Sequence, residues 1–178
     1  MSVTIRAPRP GSDDRIRLEN ALRSDGTFLE EEVAVALELV DSALESHGNL
    51  APGDHDYTVL IADLPEFPVA GYICFGLTPM TSATWDLYWV VTHAEARGRG
   101  IAGTLIQAME RELVGRGAKA IRVETSQKES HEAARRLYDR LGYPVHARFP
   151  DFYRTGDDLI VYYKVLGKVL GKAHRKDP

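Results

Sequence analysis

Along this chain the spacing of apolar residues switches between two and about 3.6, and each switch marks a new element. The opening SVTIRA alternates as a short strand does, and PRPG ends it. Residues 13–24, DDRIRLENALRS, set Ile16, Ala21 and Leu22 at near-helical spacing behind an aspartate able to cap. EEEVAVALELVDSALESHG predicts a stronger helix, with acids in its first turn, a stripe of Val33, Leu37, Val40 and Leu44, and Gly48 as a stop. Three apolar runs follow: DYTVLIADL, FPVAGYICFGL and TWDLYWVVT. The short turns between them predict an antiparallel meander.

The helical period returns from Ile101 to Val114, with Ile101, Leu105, Met109 and Leu113 on one face. KAIRVETS is then a strand, SHEAARRLYDRLG a helix stopped by Gly142 and Pro144, and VHARFPDF and LIVYYKVL two last strands. The predicted order is β-α-α-β-β-β-α-β-α-β-β. Its central strand–helix–strand unit makes the two strands it joins parallel. Residues 1–166 read as one domain, and 167–178 as a basic, flexible tail.

Composition narrows the function classes. With 44% apolar and 27% charged residues among 178, the chain can build a real core. A net charge of −4 gives no footprint for nucleic acid. The lone Cys74 sits in an apolar strand and reads as core. No apolar segment approaches the ~18 residues of a membrane span, and the N-terminus has no signal-type apolar region. A cytoplasmic protein without membrane or nucleic-acid partners is expected.

Candidate chemistry begins at ARGRGIAGTL, residues 96–105, where three glycines and two arginines precede a helix. Glycine lets the main chain approach a ligand, and a helix start attracts anions. No Gly-Lys-Ser/Thr closes the run, which disfavours a Walker-type loop. The antiparallel strands upstream disfavour a dinucleotide fingerprint.

The segment VVTHAEARGRGIAGTLIQAMERE resembles the acetyl-CoA-binding segment of the GNAT superfamily of N-acetyltransferases. Arg97, Gly100 and Ala102 stand at the positions of that family's Gln/Arg-x-x-Gly-x-Gly/Ala signature. SHEAARRLYDRLGY is similar to the family's Asn-x-x-Ala-x-x-Leu-Tyr-x-x-x-Gly-Phe, and the resemblance covers nearly the whole chain. Two departures stand out: His131 replaces the frequent Asn, and the loop from Val91 to Arg97 is one residue longer. The resemblance implies an α+β fold. Its mixed, mostly antiparallel sheet would have about seven strands with a splayed central parallel pair, flanked by about four helices.

It also implies roles. Acetyl-CoA would be the cosubstrate, without a metal. Its diphosphate would meet the amides of Arg97, Gly98, Arg99, Gly100, Ile101 and Ala102, backed by Gly103 and Thr104, with Arg97 and Arg99 adding charged donors. Val90 and Val91 would bond the pantetheine arm and polarise the thioester, and His131 and Ala134 would lie beside the cofactor. Tyr138 matches the tyrosine that assists the departing thiolate. An alkyl ammonium titrates near ~10, so a carboxylate must accept its proton. Glu124, at the end of IRVETS, is the first candidate, with Arg122 as its possible structural partner. Asp86, the Glu30–Glu32 cluster and His93 are the others.

For the acceptor, the resemblance points to the first two helices and the last hairpin. These carry Phe28, Glu30–Glu32, Phe149, Asp151, Phe152, Tyr153, Asp157 and Asp158. Phe28, Glu32, Asp86 and Phe152 are the candidate contacts, and acids with aromatics suit a cationic amine. A small-molecule amine or amino acid is expected. A protein N-terminus or lysine, or acyl-CoA binding without turnover, are the alternatives. The aromatic last strands are candidates for pairing in a homodimer.

Overall fold

The computed structural model of the protein describes residues 2–45 and 57–167. Its elements are β1 (Thr4–Arg6), α1 (Asp14–Asp25), α2 (Glu30–Glu45), β2 (Tyr57–Leu64), β3 (Phe67–Leu77), β4 (Thr84–Thr92), α3 (Ile101–Gly115), β5 (Ala120–Ser126), α4 (Glu132–Arg140), β6 (Val145–Arg154) and β7 (Asp157–Val165). Single 3-10 turns at Ala94–Ala96 and Glu129–His131 precede α3 and α4. The expected order is found. The stop at Gly48 and the basic tail after Gly167 lie outside the described residues.

All seven strands form one sheet in the order β1-β2-β3-β4-β5-β7-β6. Only β4 and β5 are parallel neighbours. β7 takes the inner place because its LIVYY run has apolar surface to bury, whereas β6 is exposed along nearly its whole length. Pro150 and the charges of β6 suit an edge.

Helices α1 and α2 cover one face of the sheet, and α3 and α4 the other. The stripe Ile101, Leu105, Met109 and Leu113 is buried against the strands, as its period predicts. On α1 the reading needs correction: Ile16 is 61% exposed, while Leu18, Ala21 and Leu22 are fully buried. Spacings of three and four put those three on one stripe, and Ile16, two residues before Leu18, falls on the opposite side. Cys74 is core, its thiol pushed up to about 12 by burial.

Two features of the central strands shape the site. Cys74 pairs with Trp89 and Phe75 with Leu87, so Tyr88 is an extra residue on β4. A bulge of this kind shifts the pleat by one. Before it, Trp85 and Leu87 face the α3/α4 core. After it, Val90 does, while Trp89 and Val91 pack under α1 and α2. The parallel ladder of β4 and β5 also ends there, at Leu87 opposite Val123, although both strands continue. One rung earlier, Arg122 donates to both oxygens of its register partner Asp86, at 2.7 and 3.0 Å. Asp86 is therefore a buried half of an ion pair at the root of the split, not a free carboxylate.

Gly71 shows how closely the layers meet. A Cβ there would stand 2.5 Å from the Val91 carbonyl oxygen and 2.9 Å from Cγ2 of Ile101, the first residue of α3. A Cβ on Gly103 would meet only Leu137 Cδ1, at 3.7 Å. Gly71→Ala is expected to destabilise by about 1–3 kcal/mol through overpacking. Gly103→Ala should be neutral or stabilise by up to about 1 kcal/mol through helix propensity. Urea unfolding of both variants checks the contrast.

Candidate active site

Beyond β4 the chain makes one 3-10 turn held by His93, whose Nδ1 accepts from the Glu95 amide at 3.3 Å and whose ring lies 4.7 Å from that of Phe67. That histidine thus shapes a turn. Gly98 and Gly100 follow at φ +76° and +75°, in the left-handed region where a side chain is strained. Gly100 caps α3 with no side-chain acceptor, and the first turn carries no acid. The dipole and main-chain N–H groups at this end therefore have no anionic partner of their own. A Cβ at Gly98 or Gly100 would meet nothing within 4 Å, so the loop presents an open face. That combination suits an anion.

The two arginines are engaged elsewhere in the fold. Arg97 donates to the Asp25 carboxylate and carbonyl, both at 2.8 Å, at the end of α1. Arg99 donates to Glu66 at 2.6 Å in the β2–β3 turn. Thr104 turns back on its own helix, its hydroxyl 3.1 Å from the Gly100 carbonyl. Ile101 is buried, Ala102 lies in the first turn of α3, and Gly103 touches α4 through Leu137.

On the far side of α4 contact, a cavity of about 330 Å³ opens between the parted strands. Tyr88, Trp89 and Val90 form one wall and Glu124, Thr125 and Ser126 the other, all beyond the last rung of the parallel ladder. His131, Ala134 and Tyr138 close it from the α4 side. Thr27, Phe28 and Leu29 of the loop between α1 and α2, with Glu32 in the first turn of α2, close it from the other side. The structure thus brings together Tyr138, Glu124, Val90, His131, Ala134, Phe28 and Glu32. It leaves outside this cavity Val91, buried on the other face, the Asp86 of the ion pair, and Phe152, 58% exposed on β6.

Each group has a definable state. Tyr138 is 4% exposed, ringed by Tyr143 and Tyr162, and among the described residues no protein group bonds its hydroxyl. Burial pushes that hydroxyl well above its ordinary value, so it stays protonated. Glu124 is not buried: its side chain is 44% exposed, with one Arg122 nitrogen at 3.3 Å. β5 parts from β4 before Glu124, which lines the cavity beyond the last rung. Glu32 accepts the Leu29 amide at 2.8 Å, the reciprocal arm of a helix cap. His131 shares Nδ1 with the Ser130 hydroxyl at 3.0 Å.

Sequence reasoning missed four contributors. Ser126 donates to the buried Asp157, and Lys128 reaches the same carboxylate at 3.3 Å, so these join the end of β5 to the start of β7. Only the register of two strands distant in sequence brings them together. Trp89 lines the cavity, with its indole N–H buried and unpaired among the described residues. The fourth, Gly71, had a legible signal, since an isolated glycine in an apolar strand marks close backbone approach. Among the described residues, no group of three or more His, Cys, Asp or Glu is placed to hold a metal ion. No described helix is long and apolar enough to cross a membrane.

Comparison with known proteins agrees with this geometry. The model of the acetyltransferase (GNAT) family matches residues 21–143. A crystal structure from Desulfovibrio desulfuricans, assigned to the GNAT acetyltransferases, is 30% identical with a TM-score of 0.81, over 92% of this chain and 99% of that one. An aminoglycoside 6'-N-acetyltransferase complexed with coenzyme A shares the fold at 15% identity and a TM-score of 0.67, over 91% and 96% of the two chains. So does the ribosomal-protein-S18-alanine N-acetyltransferase of Escherichia coli, at 14% and 0.68, over 99% of each chain. With its glycine loop, parted strands and α4 tyrosine in that setting, this chain belongs to the GNAT family of acetyltransferases.

Proposed function

We propose that the protein moves the acetyl group of acetyl-CoA directly to a primary amine of a small molecule or amino acid, within a ternary complex. The observation that carries this reading is the cavity between β4 and β5, lined by both Tyr138 of α4 and Glu124 of β5. The amides from Arg97 to Ala102 would hold the diphosphate. Main-chain groups of β4 at Val90, freed from β5, would bond the pantetheine arm and the thioester oxygen. Glu124, directly or through water, takes the proton of the attacking ammonium.

Tyr138 meets the departing sulfur. With ordinary values, proton transfer from a phenol (~10) to a thiolate (~8.5) is uphill by roughly 2 kcal/mol. Burial raises the tyrosine further, but it raises a thiol in the same cavity too, as it does for Cys74. The hydroxyl therefore supports the leaving thiolate with a hydrogen bond and completes transfer as the sulfur departs.

Free-thiol release with acetyl-CoA and a panel of amines tests the reading, and no release above background from any amine overturns it. Tyr138→Phe should lower kcat about 10²-fold. Its fold should survive, because the lost hydroxyl bonds no protein group. Because Tyr138 is held above its ordinary value, its acidic form persists at alkaline pH. The expected profile of kcat/KM rises with deprotonation of the amine and shows no descending limb up to about pH 10. Gly100→Ala adds about 1–2 kcal/mol of left-handed strain and a methyl on the open face. Calorimetry should show coenzyme A binding weakened roughly 10-fold or more, with helical content retained.

A further inference from the structure

Three carboxylates from three elements reach the cavity: Glu32 at the start of α2, Glu124 on β5 and Asp157 on β7. Tyr153 lines the same cavity, and burial first, then Glu124, Asp157 and Glu32, push its hydroxyl above its ordinary value. Their neutralisation differs. Asp157 is satisfied by the Ser126 hydroxyl, by Lys128 at 3.3 Å and by Arg154 at 3.8 Å. Among the described residues Glu124 has only Arg122, whose Nε and one terminal nitrogen are held by Asp86, so one guanidinium serves two acids. Glu32 has its cap bond from Leu29, and among the described residues no cation stands within ion-pair distance.

The neighbourhood of Glu32 is aromatic as well as acidic. Phe28 lies one turn before it, edge-on to Trp89 with ring centroids 5.4 Å apart, and Tyr153 closes the same cavity. A carboxylate without a counter-ion, beside aromatic faces, is the chemistry that holds an alkyl ammonium. The reacting amine cannot fill that role, because it must be neutral when it attacks the thioester. The cations of the cavity, Lys128 and Arg154, stand at Asp157, so an acceptor carboxylate would have to compete with a buried acid for them.

We infer that the acceptor is a dication, an aliphatic diamine or polyamine whose second, unreacting ammonium is held by Glu32 between Phe28, Trp89 and Tyr153. This rests on the acetyl-transfer reading and narrows its substrate class. In the reaction Glu124 takes the ammonium proton and passes it to solvent, and the neutral nitrogen bonds the acetyl carbon. The carbon–sulfur bond breaks, the sulfur takes the Tyr138 proton, and the second proton lost by the nitrogen restores the tyrosine. The second ammonium keeps its proton throughout.

The test compares an α,ω-diaminoalkane, the monoamine of equal length and the ω-amino acid of equal length, following thiol release by the intact enzyme. The diamine is expected to show kcat/KM about 10- to 100-fold above both others. Glu32→Gln keeps an oxygen for the Leu29 amide and so retains the cap. It should erase that preference by raising KM for the diamine more than it lowers kcat, at an unchanged melting temperature. Equal use of diamine and monoamine, preference for the ω-amino acid, or an undiminished diamine preference in Glu32→Gln overturns the inference and leaves acetyl transfer standing. Turnover of none of the three, in a preparation that acetylates another amine, also overturns it. Silence across every amine removes the acetyl-transfer reading itself.

Discussion

The ion pair between Arg122 and Asp86 sits at the fork of the molecule. It bridges the two parallel strands one rung before they separate, and everything beyond it depends on where that separation starts. A buried carboxylate without its partner is costly, so the pair pins the adjoining rungs together. Past it, two strand edges with free main-chain groups face each other across a cavity instead of bonding. A sheet usually hides such edges, because unpaired N–H and C=O groups recruit other strands. Here they open on a cavity lined by the α1–α2 loop, α4 and the last hairpin.

The glycine loop obeys a related constraint. Its dihedral angles, not lack of space, demand glycine at Gly98 and Gly100. The arginines beside them anchor the loop to α1 and to the β2–β3 turn, next to a helix start whose first turn carries no acid. Charge near an anion site need not touch the anion. It can hold the donors that do.

Much of the architecture was legible in the chain. The stripe of α3, the meander and the single parallel pair follow from periodicity and connection rules, which act over short stretches. The glycine loop was legible because its dihedral demand is local. Three things escaped. TWDLYWVVT reads as plain alternation, and nothing in its letters reveals Tyr88 as surplus, since a bulge is defined only against the partner strand. Glu124 was legible as a carboxylate with Arg122 for a partner but not as an exposed one, because the parting beside it belongs to the sheet and not to the strand. Arg97–Asp25 and Arg99–Glu66 join residues far apart in sequence, and two arginines flanking a glycine loop look alike whether they face a phosphate or a carboxylate.

The extra residue at Tyr88 gives β4 an unusual intolerance. Loops absorb insertions and deletions cheaply, and most variation in chain length among related proteins collects there. Adding one more residue between Tyr88 and Trp89 would instead turn Trp89 and Val91 toward α3 and Val90 toward the opposite layer. Drift in length is therefore confined to the flanking turns, and alignments that slide a gap into this strand will match residues that occupy opposite sides of the sheet.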